Sequence, residues 1–470
     1  MSGPATQRFD RRITEGPLLP AIWHLAWPTM LQNMMGGFQS ILDHTMVGHR
    51  VGFTGNAAIG VSSQIFLVVI VFVASLYTGM AVLVARFAGQ DDADRVNRVV
   101  YQAFLVSIFL AVGIMAPLGY LITPTLLDLV HAAPEVRAEA LPYLRIQFLF
   151  GGGLLLFFML GGALRACGDA RTPLVLGIVL TVTHGILNVV LIGGLGPIPA
   201  LGTAGAAIGS AIASNLVAIA GVVLLFTHRT PIWFSRGMQW RPDWGIIRSL
   251  FRFGLPSGLQ GVAMNVGGVL LLRFIGSLDH SAEAQAAYAV GYNQLFSLIT
   301  WTSVGLMGAT ATVIGQNLGA GHLDRAQRAV GVTTRMGLLL AGGIGSLFLF
   351  IPHQLLGVFG MTQPLVLQLG GQLLQFLGVS GLFVTTALVH TGALQGSGDT
   401  RSPFYISLIS QIGVPLGFCL LWQLARGTLV PTDIWLAILL GHVTRCALSV
   451  LRFRQGKWRT ISVDIEPAGA

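Results

Sequence analysis

Residues 162–173 read Gly-Ala-Leu-Arg-Ala-Cys-Gly-Asp-Ala-Arg-Thr-Pro, and residues 392–403 read Gly-Ala-Leu-Gln-Gly-Ser-Gly-Asp-Thr-Arg-Ser-Pro. Seven of these twelve positions are identical at a constant offset of 230. Similarity at a fixed spacing within one chain indicates a duplicated structural unit. The motif therefore predicts that the two halves of the chain share one fold.

The composition is that of a membrane protein. The chain is 53% hydrophobic and only 10% charged, with a mean hydropathy of +0.74, whereas soluble domains carry about 25% charged residues. Apolar runs recur at the length of about 20 residues that a helix needs to cross the hydrocarbon layer. Because these runs are continuous rather than alternating, they favour helices over a membrane barrel. We therefore expect an all-α integral membrane protein.

The apolar runs predict twelve transmembrane helices in two sets of six. The first set is 22–46, 57–85, 99–122, 143–165, 173–195 and 203–227, and the second is 254–276, 286–314, 331–351, 370–393, 403–424 and 433–451. Since six helices, an even number, separate equivalent points, both bundles have the same orientation in the membrane. This is a parallel repeat, and such repeats commonly enclose a central cleft.

Two further similarities support the repeat and divide the chain into domains. Segment 28–32 resembles 256–260, and segment 57–64 resembles 287–294. The predicted domains are an N-terminal six-helix bundle (1–227), a cytoplasmic linker (228–252) and a C-terminal six-helix bundle with a basic cytoplasmic tail (253–470). The end of the linker has one apolar helical face, which is typical of an interfacial helix but also fits an extension of helix 7.

The positive charges predict the topology. If both termini lie on one side, that side carries 21 of the 27 lysines and arginines, the other side carries five, and Arg445 lies within the last helix. By the positive-inside rule both termini are cytoplasmic. The net charge of +9 then indicates anionic lipid of the inner leaflet as the partner, rather than nucleic acid. The first apolar run has no cleavage site for a removable signal peptide.

Each copy of the opening motif carries the same turn-forming and charged residues, namely Gly168, Asp169 and Arg171 in the first and Gly398, Asp399 and Arg401 in the second. The glycines permit a tight turn. Thr172-Pro173 and Ser402-Pro403 predict an N-cap followed by a proline at the first helical position. Each aspartate can pair with its arginine locally or across the mouth of the cleft. The motif is therefore either a turn at the membrane face or an inner gate where the two loops meet.

Asp43 is the one carboxylate that lies well inside an apolar span. A charge at the bilayer centre costs about 2.5–3.5 kcal/mol or more, so such residues are rare and usually functional. A carboxylate there can take up and release a proton. The alternative is a solvated carboxylate near the outer interface, or one paired with Arg50. The equivalent position in the second half is Leu271 or Arg273, so an ion site built on Asp43 belongs to the first half only.

Helix 5 carries His184 and Asn188 one turn apart on one face. Such polar groups can simply hold neighbouring helices together in lipid. Alternatively they form a polar cluster with Asp43, in which His184 is a second proton carrier.

Other polar residues lie inside the predicted spans. Four glutamines form two pairs across the repeat, Gln32 with Gln260 and Gln64 with Gln294. They are candidates for a substrate cavity, and contacts between helices explain them equally well. His442 and Arg445 in helix 12 are interpreted as a buried or snorkelling pair rather than as part of the transport machinery.

The sequence does not predict an enzyme. It contains no glycine-rich phosphate loop with a lysine, no nucleophile–base pair and no metal-ligand spacing. No cofactor is therefore expected, and no metal beyond a cation at the Asp43 site.

The chain resembles the multidrug and toxic compound extrusion (MATE) transporters over residues 18 to 460. The resemblance rests on the duplicated twelve-helix layout, on Pro28 and Pro256 near the start of helices 1 and 7, on the repeated Gly-Asp-x-Arg-x-Pro segments, and on the basic ending 452–458. It implies export of amphipathic, often cationic compounds across the bacterial inner membrane. The export is driven by inward flow of protons or sodium.

The resemblance also implies a first-half ion site. Asp43 matches the family's aspartate of helix 1, Asn188 its asparagine of helix 5, and Ser210 its hydroxyl of helix 6. Ile192 stands where a second aspartate is found in the family, which removes a charged ligand for sodium. The alternative family site, with acids in helices 7 and 10, is replaced by Gln260, Asn265 and His390.

The sequence thus predicts a cation-coupled antiporter, with protons favoured over sodium, that works by alternating access as a monomer. The main alternative is a flippase for lipid-linked precursors, but such proteins tend to line the cavity with arginine or lysine, whereas the arginines here concentrate at the cytoplasmic face. A channel or membrane scaffold and an intramembrane enzyme are the remaining alternatives.

Overall fold

The computed structural model describes residues 9–235, 238 and 241–465, with the backbone alone for 67–74. Arg8 and Arg236, two of the basic residues that predict the topology, lie outside the described residues. Within them the chain is helical, and the one β feature is an isolated bridge between Leu195 and Ile198. The all-α class is therefore confirmed.

Twelve long helices follow one another along the chain. The first six are α1 (Leu18–Arg50), α2 (Phe53–Gly89), α3 (Ala93–Leu129), α4 (Pro134–Phe150 continued by Gly152–Ala166), α5 (Arg171–Gly193) and α6 (Gly202–Phe226). The second six are α7 (Trp244–Gly276), α8 (Ser281–Gly319), α9 (Leu323–Phe350), α10 (Pro364–Ser397), α11 (Arg401–Arg426) and α12 (Pro431–Arg454). A short helix, Pro352–Val358, lies between α9 and α10.

Each predicted span matches one of these helices, and none extends more than two residues beyond its helix. In the described part of the chain, nine helices are long and apolar enough to cross a membrane, or ten if the two halves of α4, bent by 49°, form one span. Helices α1 and α2 are 33 and 37 residues long, well above the roughly 20 that a span requires.

Most helices are longer than the apolar runs because polar turns continue them. The clearest case is α7, which begins at Trp244 inside the predicted linker 228–252. Its first turns bury Ile246 and Leu250 and expose Arg248 and Arg252. This segment is therefore an extension of helix 7 rather than a separate interfacial helix.

Among the described helices, three contain a π-helical stretch. These stretches are Phe109–Met115 in α3, Ala289–Leu295 in α8 and Leu408–Gly413 in α11. Single π-helical turns inside α-helices occur frequently at functional sites. The stretches in α8 and α11 lie in the second half of the chain, next to residues of α12 considered below.

The chain divides into two compact units. The first has Leu31–Leu255 as its main segment, and the second consists of Arg11–Met30 and Pro256–Val463. The first turns of α1 thus group with the second unit, and the linker groups with the first. The predicted partition into 1–227, 228–252 and 253–470 assigned both segments differently, and it stays a prediction.

Residues 11–16 are held within the second unit by side chains at the end of α8 and the start of α9. Asn317 donates a hydrogen bond of 3.1 Å to the carbonyl oxygen of Ile13. The Arg325 guanidinium donates to the carbonyl oxygens of Ile13 and Gly16. Because these acceptors belong to the backbone, the contact depends on the path of residues 11–16 rather than on their side chains.

The repeated glycines perform the same packing role in both halves. A Cβ atom at Gly162 would lie 2.2 Å from the ring of Tyr77, and one at Gly392 would lie 2.2 Å from the carbonyl oxygen of Met307. Tyr77 and Met307 are themselves related by the offset of 230. The motif therefore brings α4 against α2 in the first unit and α10 against α8 in the second, at distances that only glycine allows.

Candidate functional site

Three of the predicted residues come together in the first unit. Asn188 Nδ2 on α5 donates a hydrogen bond of 2.5 Å to Asp43 Oδ1 on α1. His184 Nε2, one turn earlier on α5, lies 3.5 Å from the same oxygen. Both α5 side chains are buried, and the Asp43 side chain is 19% exposed. The arrangement is an acid, an imidazole and an amide in one cluster, and Arg50 lies instead beside Gly193.

Further polar contacts connect α1 and α5. Gln39 Nε2, one turn before Asp43, donates a hydrogen bond of 2.8 Å to Thr181 Oγ1. Sequence reasoning missed this pair, although its signal was present. Gln39 is four residues before Asp43, and Thr181 is three before His184, so each pair shares a helical face.

The Asn188 side chain packs closely against α6. A Cβ atom at Gly209 of α6 would lie 2.7 Å from Asn188 Oδ1, so the close approach requires glycine. This buried oxygen has no hydrogen-bond partner among the described residues. Tyr143 of α4 is buried, shares a hydrogen bond with Gln147 and lies within electrostatic range of Asp43. Neither Gly209 nor Tyr143 could be predicted, because both matter through packing that one sequence does not show.

Two residues that the family resemblance placed at this site, Ser210 and Ile192, do not contribute a polar contact to it among the described residues. Ser210 on α6 is half-buried and forms no hydrogen bond with Asp43, Asn188 or His184 in the described chain. Ile192 packs in an apolar cluster with Val47. The cluster around Asp43 therefore has one carboxylate.

The donor set fits a sodium ion poorly as it stands. Sodium is a hard cation that prefers several oxygen ligands, yet Asn188 presents its nitrogen to Asp43. Among the described residues, no group of three or more His, Cys, Asp or Glu side chains could hold a metal ion.

The predicted cavity glutamines fall into two classes. Gln32 accepts a hydrogen bond of 2.8 Å from Arg165 Nη1, and Gln260 Nε2 donates one of 2.8 Å to Ser407 Oγ. These two contacts join neighbouring helices. Gln64 and Gln294 are exposed in their units. A role in a substrate cavity stays a prediction for all four.

The repeated loops form the predicted turns, with a different cap. Gly168 and Gly398 have φ of +103° and +99°, in the left-handed region that favours glycine. The side chain of Asp169, rather than Thr172, accepts hydrogen bonds from the first turn of α5, from the backbone N–H groups of Arg171 and Thr172. The prolines accordingly stand at the third helical position and not the first.

Asp399 caps α11 in the same way, and its charged partner differs from the predicted one. Its Oδ1 accepts from the backbone N–H of Ser402 at 3.1 Å. Its Oδ2 lies 2.7 Å from Arg452 Nη2 at the end of α12. The expected pairing with Arg401 is therefore wrong, because an arginine distant in sequence reaches the carboxylate. An inner gate at these loops stays a prediction.

Comparisons with known proteins agree with this fold. The sequence model of the MatE family matches residues 28–190 and 256–421. The probable multidrug resistance protein NorM of Thermotoga maritima is 24% identical over 93% of this chain and 93% of that protein. The multidrug resistance protein MdtK of Pectobacterium atrosepticum is 25% identical over 95% of this chain and 96% of that protein.

A solved structure has the same architecture. It is an outward-facing multidrug resistance MATE family transporter of the MOP superfamily, with a TM-score of 0.88 at 18% identity over 98% of this chain and 100% of that one. The twelve-helix fold is thereby confirmed, and it is that of a multi-pass membrane transporter. The chain belongs to the MatE family, as the sequence resemblance implied.

Proposed function

We propose that this protein is a proton-coupled antiporter that exports amphipathic, often cationic drugs or metabolites by alternating access. The observation that carries the coupling is the cluster of Asp43, Asn188 and His184, a carboxylate that bonds across two helices inside an apolar bundle. The export function is supported by relatives that are named multidrug resistance proteins.

The Asp43–Asn188 contact can serve both protonation states. An ionised carboxylate accepts a hydrogen bond from the amide nitrogen, as it does here. A protonated carboxyl can instead donate to the amide oxygen once the amide turns over, because an asparagine carries both donors and acceptors. Protonation thus exchanges one α1–α5 contact for another. A change in the relative stability of two packings shifts their populations, which is the step that alternating access needs.

Protons are favoured over sodium for two reasons. The site has one carboxylate, since Ile192 fills the position of the second acid with an apolar side chain. The nearest titratable neighbour of Asp43 is His184, and a histidine can relay a proton near neutral pH but offers nitrogen rather than oxygen to a hard cation.

The test is ion movement in proteoliposomes that contain the purified chain. On addition of a cationic dye such as ethidium, we expect proton flux opposite to the dye, reported by a pH-sensitive fluorophore, and none in protein-free liposomes. An imposed sodium gradient at equal pH should not drive the dye. Dye movement driven by sodium alone, or passive movement without a gradient, would overturn the proposal.

The proposal includes both termini in the cytoplasm of a bacterial inner membrane, contact with anionic lipid, and function as a monomer without a cofactor. The flippase alternative is not favoured, since the relatives are named for drug resistance.

His184→Gln should slow proton-coupled export without uncoupling it, because Asp43 keeps its carboxyl while the imidazole 3.5 Å away, which can relay the proton, is lost. Glutamine keeps a polar group beside Asp43 but cannot carry a proton. The measurement is the initial rate of dye-induced proton movement. His390→Gln is the matched control, since His390 is a buried histidine in the second unit that contacts the Thr386 carbonyl. Equal rates in the parent and His184→Gln would remove His184 from the proposed pathway.

A further inference from the structure

One face of α12 carries four buried polar side chains, and each has a polar atom that forms no hydrogen bond with the described residues. Trp435, His442, Arg445 and Ser449 are spaced by seven, three and four residues, so they share one helical face. Each has a buried side-chain atom without a hydrogen-bond partner among the described residues, namely Trp435 Nε1, His442 Nδ1, Arg445 Nε and Ser449 Oγ. Buried polar groups are nearly always satisfied in native proteins, so this face points to a ligand.

The charge on Arg445 has no counter-ion in the described chain. The side chain is buried, with 4% of its surface exposed. The acid of α12 and the acid of the loop before α11 are engaged elsewhere. Asp433 accepts from the backbone N–H of Val430 and is twelve residues, or about 18 Å along the helix axis, from Arg445. Asp399 is paired with Arg452. A buried cation without a partner is strongly unfavourable, so an anion is the missing component.

Aromatic rings surround this cation. Tyr292, in the π-helical stretch of α8, interacts electrostatically with Arg445. It stacks on Tyr288 at 4.9 Å and lies nearly parallel to the imidazole of His442 at 6.5 Å. Phe296 lies 5.6 Å from His442 on the same side as Tyr292, and its ring is 5.4 Å from that of Tyr292. The guanidinium therefore lies beside a column of parallel rings, which offers apolar surface to a flat ligand.

We propose that Arg445 and Tyr292 form a binding site in the second unit for the carboxylate of an aromatic or similarly apolar monocarboxylate. The planar guanidinium matches a carboxylate with two parallel N–H donors. The Tyr292 hydroxyl supplies a further donor, and the ring column packs against the apolar part. A halide would be attracted by the charge, but it could not accept two parallel hydrogen bonds as a carboxylate does, and it has no apolar part to pack against the rings. This site is separate from Asp43 and does not depend on proton coupling.

The first experiment measures binding of benzoate to the purified full chain in detergent, by isothermal titration at constant ionic strength. We expect saturable binding, with chloride at least roughly tenfold weaker. Arg445→Gln should abolish it. The matched control, Arg426→Gln, removes an arginine that is exposed at the end of α11 over Trp422, and it should leave the affinity unchanged. Benzoate that fails to bind, leaving the site to water, would overturn the proposal, as would unchanged binding by Arg445→Gln.

A milder variant keeps the proposal testable if Arg445→Gln does not fold. Tyr292→Phe keeps the ring column and removes only the hydroxyl, so benzoate should bind roughly tenfold more weakly, the factor for one hydrogen bond to a charged group. An unchanged affinity would exclude Tyr292 from the site and refute the proposed geometry.

A transport assay tells whether the carboxylate bound at Arg445 is a separate small molecule or a group on the exported compound itself. A xanthene dye is supplied in its free-acid and methyl-ester forms. If the exported compound supplies the carboxylate, Arg445→Gln slows export of the acid and leaves the ester unchanged. If a free carboxylate occupies the site, benzoate alters export of both forms in the parent alone. Equal behaviour of the parent and the variant in both arms would contradict the proposal.

Discussion

Asp43→Asn is expected to reduce proton-driven dye export to the level of empty liposomes while leaving the protein folded. Asparagine has nearly the shape of aspartate and can still bond to Asn188, so the α1–α5 contact is retained. It cannot ionise, and the exchange between donating and accepting hydrogen bonds is lost with the charge. A buried charge in lipid is costly, so its removal should not lower, and can raise, the thermal midpoint of unfolding.

The matched control is Asp128→Asn. Asp128 lies at the end of α3, where it forms an exposed ion pair with Arg137, and exposed pairs contribute little to stability. Both variants are assayed for dye-induced proton movement and for dye binding in detergent. We expect Asp128→Asn to match the parent in both assays and Asp43→Asn to bind dye without moving protons. Normal proton movement by Asp43→Asn would exclude Asp43 as the coupling group.

Gly396→Val is expected to cost about 3 kcal/mol or more of stability, the upper range for overpacking a close contact. A Cβ atom at this position would lie 2.2 Å from the carbonyl oxygen of Ala311 and 2.7 Å from its Cα. The obstacle is the backbone of α8, which cannot rotate away as a side chain can. The helices α8 and α10 would have to separate, and the midpoint of thermal unfolding in detergent should fall sharply.

Gly343→Val provides the comparison, because a Cβ atom there meets nothing within 4 Å. Gly343 lies in the interior of α9 and Gly396 one residue before the end of α10, so any effect of helix propensity is at least as large in the Gly343 variant. We expect the Gly343 variant to unfold near the parent's midpoint. An equal loss of stability in the two variants would show that helix propensity, and not the α8–α10 contact, is responsible.

Much of the fold could be predicted from the sequence, because a membrane restricts the chain to helices of a minimum length and the apolar runs mark them. The ends of the helices could not. The start of α7 at Trp244 depends on Ile246 and Leu250 finding buried positions, which hydropathy does not reveal. The capping role of Asp169 was missed because Thr172 is an equally good cap by residue type. The pairing of Asp399 with Arg452 was missed because Arg401 is also an arginine and lies much closer to Asp399 in sequence.

The candidate site was predictable to the extent that charge and helical spacing determine it. Asp43 was noticed because a carboxylate is costly in lipid, and His184 and Asn188 because they share a face. Gly209 and Tyr143 matter through packing, which one sequence does not show. For α12 the sequence identified His442 and Arg445, but the lack of a counter-ion for Arg445 depends on where Asp399 and Asp433 find their partners.

The assignment of Arg11–Met30 to the second unit has a consequence for how the chain is made. This segment is synthesised before Leu31–Leu255, and the rest of its unit, Pro256–Val463, follows only after that stretch is complete. At 5–20 residues per second, the interval is about 10 to 45 seconds. During that time the Ile13 and Gly16 carbonyls that Arg325 will bind remain without this partner. Cutting the gene at the linker would therefore not yield two self-sufficient halves, because the C-terminal fragment would lack Arg11–Met30.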